Sequence, residues 1–512
     1  MKKRTIILSH YKHISWLYLK ILPTIKKILK ARVVLLLPSD VAVPDSYEAK
    51  LDEGDEVVFV PTFAELAESV GSSENKLSEN LDNFISKYNF NPTLDLLMQE
   101  RAFAEMNTVG WRGVPAHDFT NLDESTVNQI LVSYFQFFEN VFLLNNVILA
   151  LVWPRSCWEA VAGVIAHTKG ILVTFPYPSK GYGRLGYWAD GMFANSVQIK
   201  DTFYSQDATV SFHSEDSSKV TFGGGEMFRH ENLSETYGLK LTVKRIILIF
   251  VNHFQFMLRD IRLRRFGRRI SFRTAIAKEI SNYFYWKGFQ KLCVSEQSID
   301  VSQRFVFFAF QSQPEFSVEG RCKEFNDQKA IIVAIAKSLP PGVILYIKEH
   351  TFVGKRTLNY YKNLLDLPSV KMVPPNIPAV NIAKHAECAF SLNGTILFEL
   401  SEFGVPCAYF SKRSEFSVLE NAFFLENAAV IESWIRGVLS GNLTVSKQAS
   451  SISGRKFINA MRSNSFEAVP MYNNGLGDIN EYEVERSVKL LTNLIAKFKT
   501  KKSSYSFNLS DL

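Results

Sequence analysis

Residues 389–410 read AFSLNGTILFELSEFGVPCAYF. Cys388 to Ser391 is an apolar run of strand length, Gly394 to Phe403 has helical spacing closed by Gly404, and Pro406 to Phe410 is apolar again. A strand, a glycine turn, a short helix and a second strand make one step of a parallel sheet. In open parallel sheets the ligand lies beyond the carboxyl ends of the strands, where helix amino termini also point. Asn393, Gly394 and Thr395 fall at that place.

The same rhythm extends upstream. Arg304 to Phe310, Val343 to Lys348 and Val370 to Val373 read as strands. Asn326 to Ser338, Leu358 to Leu365 and Ile377 to His385 read as the helices between them. Two more strand ends carry polar residues: Gln311, Gln313 and Glu315 follow the first strand, and Lys348, Glu349 and His350 close the second. The chemistry of these types in this order suits a nucleotide. Gly394 lets backbone approach an anion, Thr395 offers a helix cap and a hydroxyl, and free first-turn N–H groups attract phosphate. Glu399, four residues on from Thr395, can accept from a ribose diol. Lys348 and His350 share one side of an extended chain and add positive charge for a phosphate leaving group. Taken singly, NGT is also an ordinary helix cap, KEH an ordinary solvated strand end, and Glu399 an ordinary surface residue; the reading rests on their succession along one sheet. No GxxxxGK[ST] or zinc spacing occurs, and no metal and no cofactor is expected.

The first half has the rhythm without the motifs. Thr5 to Ser9, Arg32 to Leu37, Val57 to Val60, Val147 to Val152 and Ile171 to Phe175 are apolar runs, with helical patterns at Trp16 to Leu29, Ile130 to Leu144 and Trp158 to His167. Between the halves, Ser205 to Glu235 is polar and glycine-rich, and Leu241 to Phe289 is helical in pattern. The expected division is an acceptor domain at 1–200, a loop and basic helical linker at 201–300, a nucleotide-sugar domain at 301–480, and at 481–512 a helix returning to the first domain, followed by a tail. The fold class expected is α/β, two Rossmann-like domains facing across a cleft.

The 512 residues are 46% hydrophobic and 13% aromatic, enough for two cores. The five cysteines are odd in number and scattered in apolar surroundings, which reads as reduced core thiols. The apolar run near the start, Ile6 to Leu8, is too short for an export signal, and the longest apolar stretches are broken by Asn145, Asn146, Asn252 and His253. A cytoplasmic protein is expected. The formal charge of +7 does not demand nucleic acid, and none is expected as a partner. Its placement is informative: seven arginines against Asp260 lie between Arg259 and Arg273, directly after the apolar RIILIFVNHFQFML. Residues 241–273 therefore read as a peripheral contact with anionic lipid of the inner leaflet, or as a helix packed at the domain interface.

The order QSQPE, IKEH followed by GKR and a YY pair, LPSVKMVPP, then SLNGTILFELSEFGVPCAYF, resembles the capsular polysaccharide biosynthesis glycosyltransferases. This family of GT-B fold includes β-Kdo transferases. The resemblance covers about residues 300–412, and it departs from the family at Thr351, where proline usually follows the lysine-and-histidine strand end. It implies that Lys348, His350, Asn393, Gly394, Thr395 and Glu399 hold a nucleotide-sugar donor, CMP-Kdo among the donors, with Gln313 and Glu315 matching the family's QPE. It also implies a glycan or lipid-linked acceptor in the first domain and a general base facing the cleft. Asp190, Glu139 and His117 are the candidates for that base. Arg155 and Ser156 either bind acceptor hydroxyls or start a helix. Two other readings share the frame: a sugar-nucleotide epimerase of the UDP-N-acetylglucosamine 2-epimerase type, and a non-catalytic membrane-associated scaffold.

Overall fold

Arg4–Ser9 (β1) is buried at every position after its first residue, as is the core of Arg32–Pro38 (β2). Runs without polar alternation need cover on both faces, which a parallel sheet flanked by helices supplies. The computed structural model, which describes residues 3–10, 14–48, 50–72, 80–112, 122–179, 185–192, 197–206, 239, 242–251, 254, 272–350, 356–468 and 479–500, shows that arrangement twice.

The first sheet adds Glu56–Val60 (β3), Asn146–Leu151 (β4), Leu172–Pro178 (β5) and Leu185–Asp190 (β6). Its order is β3-β2-β1-β4-β5, all parallel. It is extended by β6 and by Ser465–Glu467 (β13), both antiparallel to their neighbours. Helices Ser15–Leu29, Glu124–Leu144 and Cys157–Thr168 cover its faces.

The second sheet comprises Phe305–Ala309 (β7), Ile344–Lys348 (β8), Val370–Val373 (β9), Cys388–Phe390 (β10), Cys407–Tyr409 (β11) and Ala422–Phe424 (β12). The order β9-β8-β7-β10-β11-β12, parallel throughout, is the doubly wound order in which the strand sequence reverses between β7 and β10. In the first sheet the reversal falls between β1 and β4. Helix starts are fixed locally: Asp123, Asp327, Thr357 and Ser446 each accept an amide of the first turn that follows. Gly404, at φ 69°, ends the turn after β10, where a Cβ would lie 2.7 Å from Lys447 Cα.

The two carboxyl edges meet. Phe175 and Tyr177, on the end of β5, pack edge-on against Phe316, which follows β7. Asp95 pairs with buried Lys323, and the Thr357 amide donates to Gly110 O at 2.7 Å. The chain returns to the first domain at Ser465, earlier than the expected boundary at 480. The Glu481–Thr500 helix then lies on the first domain, where the Trp188 indole donates to Ser487 O and Lys20 to Ile479 O. This is the fold class α/β with two Rossmann-like domains facing one another. The five cysteines are free, four of them buried. Among the described residues no helix is long and apolar enough to cross a membrane.

Candidate active site

At the reversal point of the second sheet, β10 runs into Ser391 and Asn393, both fully buried. Asn393 Oδ1 accepts from Ser414 Oγ at 2.6 Å, which fixes the turn. Gly394 is required by close approach: a Cβ there would lie 2.5 Å from Ser391 Oγ and 3.0 Å from Gln311 Nε2. Gln311, at the end of β7, therefore aims its amide at the turn. Thr395 corrects the expectation of a capping hydroxyl. It stands at the N-cap position with helical φ and ψ and makes no side-chain cap; its Oγ1 donates to Glu399 Oε1 at 2.8 Å. The expected helix from Gly394 to Phe403 is one α turn, Ile396–Glu399, tightening into a 3-10 turn, Leu400–Phe403. So short an element has a weak dipole, and an anion there depends more on side chains.

Lys348 comes in from β8. It is buried, its Nζ lying 3.3 Å from Pro375 O and 3.4 Å from Glu349 O. Burial pulls its ammonium down to about 8, against the opposing pull of Glu349 and Glu399. A phosphate beside it would favour the charged form further. His350 is half-buried and its amide donates to Glu349 Oε1 at 2.8 Å.

The KEH strand end is not a solvated edge. Glu349 is buried and paired with Arg356, whose Nη1 lies 3.0 and 2.8 Å from the two carboxylate oxygens; Tyr361 Oη donates to the same carboxylate. Arg356 also donates to Gln311 O at 3.0 Å and Gln313 Oε1 at 2.9 Å, and its guanidinium lies over Phe310. Gln313 donates to Glu319 and to Asn326 O, and accepts from Gln328 as well as Arg356. All its amide groups are thus engaged inside the domain, so it shapes the loop after β7 and does not face a ligand. Glu315 instead lies toward the first domain, where its charge attracts Arg155. We expect Arg356→Met to destabilise the second domain by about 3–5 kcal/mol, because Glu349 is left as a buried uncompensated charge. The melting temperature should fall and be partly restored by the added change Glu349→Gln.

Across the meeting edges is the reversal point of the first sheet, with Ser9 ending β1, His10 after it, and Arg155, Ser156 and Glu159 after β4. Glu159 is the third residue of the Cys157–Thr168 helix. Its Oε2 accepts from the Arg155 amide and from Ser156 Oγ, each at 3.2 Å, and the Ser9 hydroxyl lies beside it. Burial pushes its carboxyl up to about 7, hydrogen bonds and Arg155 opposing. Glu100 touches the same helix start, accepting from the Cys157 amide at 3.5 Å, and burial lifts it too to about 7. Burial lowers the His10 imidazole.

Two of the three bases expected from the sequence, Glu139 and Asp190, stand elsewhere. Glu139 lies near the carboxyl end of the Glu124–Leu144 helix, which leads into the amino end of β4 on the side away from the cleft, and it is held by Lys87 and Tyr88. Asp190 is buried and spends Oδ1 on the Val197 amide at 3.1 Å, anchoring the Val197–Ser205 helix; burial raises it to about 6. His117 lies outside the described residues. Glu159 carried a sequence signal that went unread: Ser156-Cys-Trp-Glu159 is a capping-box spacing directly after a buried strand.

No protein family and no curated protein matches the chain. Solved structures that it resembles include the UDP-GlcNAc 2-epimerase from Neisseria meningitidis bound to UDP-GlcNAc, at 10% identity, 90% of this chain, 100% of that one and TM-score 0.26. The calicheamicin glycosyltransferase CalG4 is similar at 12% identity, 96% and 98% coverage and TM-score 0.26. The β-Kdo 2,7 transferase KpsC of Thermosulfurimonas dismutans is similar at 10% identity, 73% and 97% coverage and TM-score 0.28. Likenesses this loose carry no argument. The architecture rests on the two sheet orders.

Proposed function

We propose that this chain is a glycosyltransferase of GT-B type that moves a sugar from a nucleotide-sugar donor to a glycan or glycolipid acceptor of a bacterial surface polysaccharide. One observation supports the reading above the others: a glycine turn with Lys348 and Glu399 lies at the reversal point of one sheet and a buried carboxyl, Glu159, at that of the other, and the two sheets' carboxyl edges meet where Phe316 packs on Phe175 and Tyr177. In this account the phosphate lies over Asn393 to Thr395 with Lys348 and His350 balancing its charge, and Glu399 receives the ribose diol. The sugar then points at the first domain. There Glu159 takes the proton of an acceptor hydroxyl as its oxygen bonds to the anomeric carbon, while the bond from that carbon to phosphate breaks and the nucleotide leaves. One displacement of this kind inverts the anomeric centre. Water must be kept out, which closure of the two edges on the donor would do.

The test is product analysis with CMP-, UDP-, GDP- and dTDP-sugars, with and without a lipid extract as acceptor. Acceptor-dependent release of free nucleotide supports the reading. A sugar converted while still attached to its nucleotide identifies an epimerase instead, and no turnover of any donor removes the enzyme assignment.

A further inference from the structure

The arginine-rich stretch from Arg259 to Arg269 lies outside the described residues. Arg155 is described, and it stands where the two domains touch. A chain of ring contacts locates it. Its guanidinium lies over Trp153 at 5.0 Å, and Trp153 stacks on Phe175 at 5.4 Å. Phe316 of the second domain meets Phe175 edge-on at 6.1 Å, and Glu315 directly precedes it. The half-buried guanidinium therefore has a carboxylate on either side of the domain boundary. Glu159, in the first domain, also accepts the Arg155 amide at 3.2 Å. Burial lowers the guanidinium, while Glu159, Glu315 and the Tyr177 phenol hold it up.

Seen from Glu159, Arg155 is the cation that opposes the effect of burial. The other groups around the carboxyl carry no positive charge near neutrality. Ser9 and Ser156 offer hydroxyls, Tyr18 of the Ser15–Leu29 helix a phenol, and Glu100 a second carboxyl at the same helix start. The His10 imidazole, lowered by burial, is neutral there, and Tyr134 of the Glu124–Leu144 helix stands by Glu100 and Cys157. Asp95 and Lys323, beside the same helix, are spent on each other.

We propose that Arg155 is a positioning residue for Glu159 whose charge the second domain shares through Glu315, so that contact between the domains governs the base. With the edges apart, Arg155 acts on Glu159 alone and favours the carboxylate. With the edges together, Glu315 draws off part of that attraction, and Glu159 more readily keeps a proton taken from an acceptor hydroxyl. The base thus strengthens when the cleft closes. Its use in transfer rests on the transferase reading; the electrostatics do not.

The experiment reads the ionisation of Glu159 in two ways. Without substrate, the melting temperature of each protein minus that of the same protein carrying Glu159→Gln, followed from about pH 5 to about 9, gives a midpoint from stability alone. With donor and acceptor, the rising limb of kcat against pH gives a midpoint from turnover. Arg155→Met should move both midpoints up by about one unit, because the cation that favoured the carboxylate is gone, and Arg155→Lys should restore most of that shift. Glu315→Gln should move both down, because Arg155 is then left to Glu159. Glu315 is half-buried and makes no side-chain cap, so this arm holds even where Arg155→Met fails to fold. A stability midpoint unmoved by Glu315→Gln, or moved in the same direction by Arg155→Met and Glu315→Gln, would overturn the proposal. Opposite shifts in the stability midpoints with no turnover of any sugar nucleotide would uphold the coupling and remove the transferase reading instead.

Discussion

Changing Glu159 to Gln should lower the turnover of sugar transfer by about 100- to 10,000-fold, the usual contribution of a positioned general base. Gln still accepts from the Arg155 amide and Ser156 Oγ, so the helix start and the fold should persist, and donor affinity should not change. The pH dependence carries a sign. Because burial holds the Glu159 carboxyl at about 7, kcat should rise as pH increases through that value and the carboxylate forms. Stability moves the other way. A carboxyl raised above its unfolded value near 4.5 stabilises the fold fully below that value, and the contribution is lost as pH rises through about 7. Glu159→Gln should therefore gain stability relative to wild type across that window while losing activity. A purely structural Glu159 would produce the stability change with activity intact.

Glu399→Ala and His350→Ala should each lower transfer by about 10- to 1,000-fold through loss of contacts to the donor. Both proteins should remain folded. Glu399 is bound to Thr395 Oγ1 but belongs to a turn whose conformation is also held by Asn393, Ser414 and Gly404, and His350 is only half-buried. The effect of Glu399→Ala should fall mainly on donor affinity. That of His350→Ala should fall on turnover, where charge develops on the leaving phosphate. Steady-state rates at varied donor concentration separate the two.

The second domain was legible because its elements are short and sharply punctuated. Gly404 closes its turn at positive φ as its position foretold, and Leu358–Leu365 keeps the bounds its spacing gave. The antiparallel extension of the first sheet was not legible. Ser465–Glu467 is three residues long and its partner, β6, lies far away in sequence, so no local pattern announces the pairing. The roles of individual polar residues were harder still. Gln313 and Glu315 stand two apart on the same loop, yet one is consumed in a buried network and the other turns to Arg155 in the opposite domain. Glu139 and Asp190 were singled out from the sequence and Glu159 was not, because burial and neighbours, which set a carboxylate's surroundings, come from tertiary packing.

The account stands most directly on nucleotide binding at the turn after β10. Calorimetric titration of CMP, UDP, GDP and dTDP into the wild type and into Glu399→Ala measures it. One of these nucleotides should bind the wild type at one site per chain and bind Glu399→Ala on the order of tenfold or more weakly. Binding of none of them, or equal binding by both proteins, would contradict it.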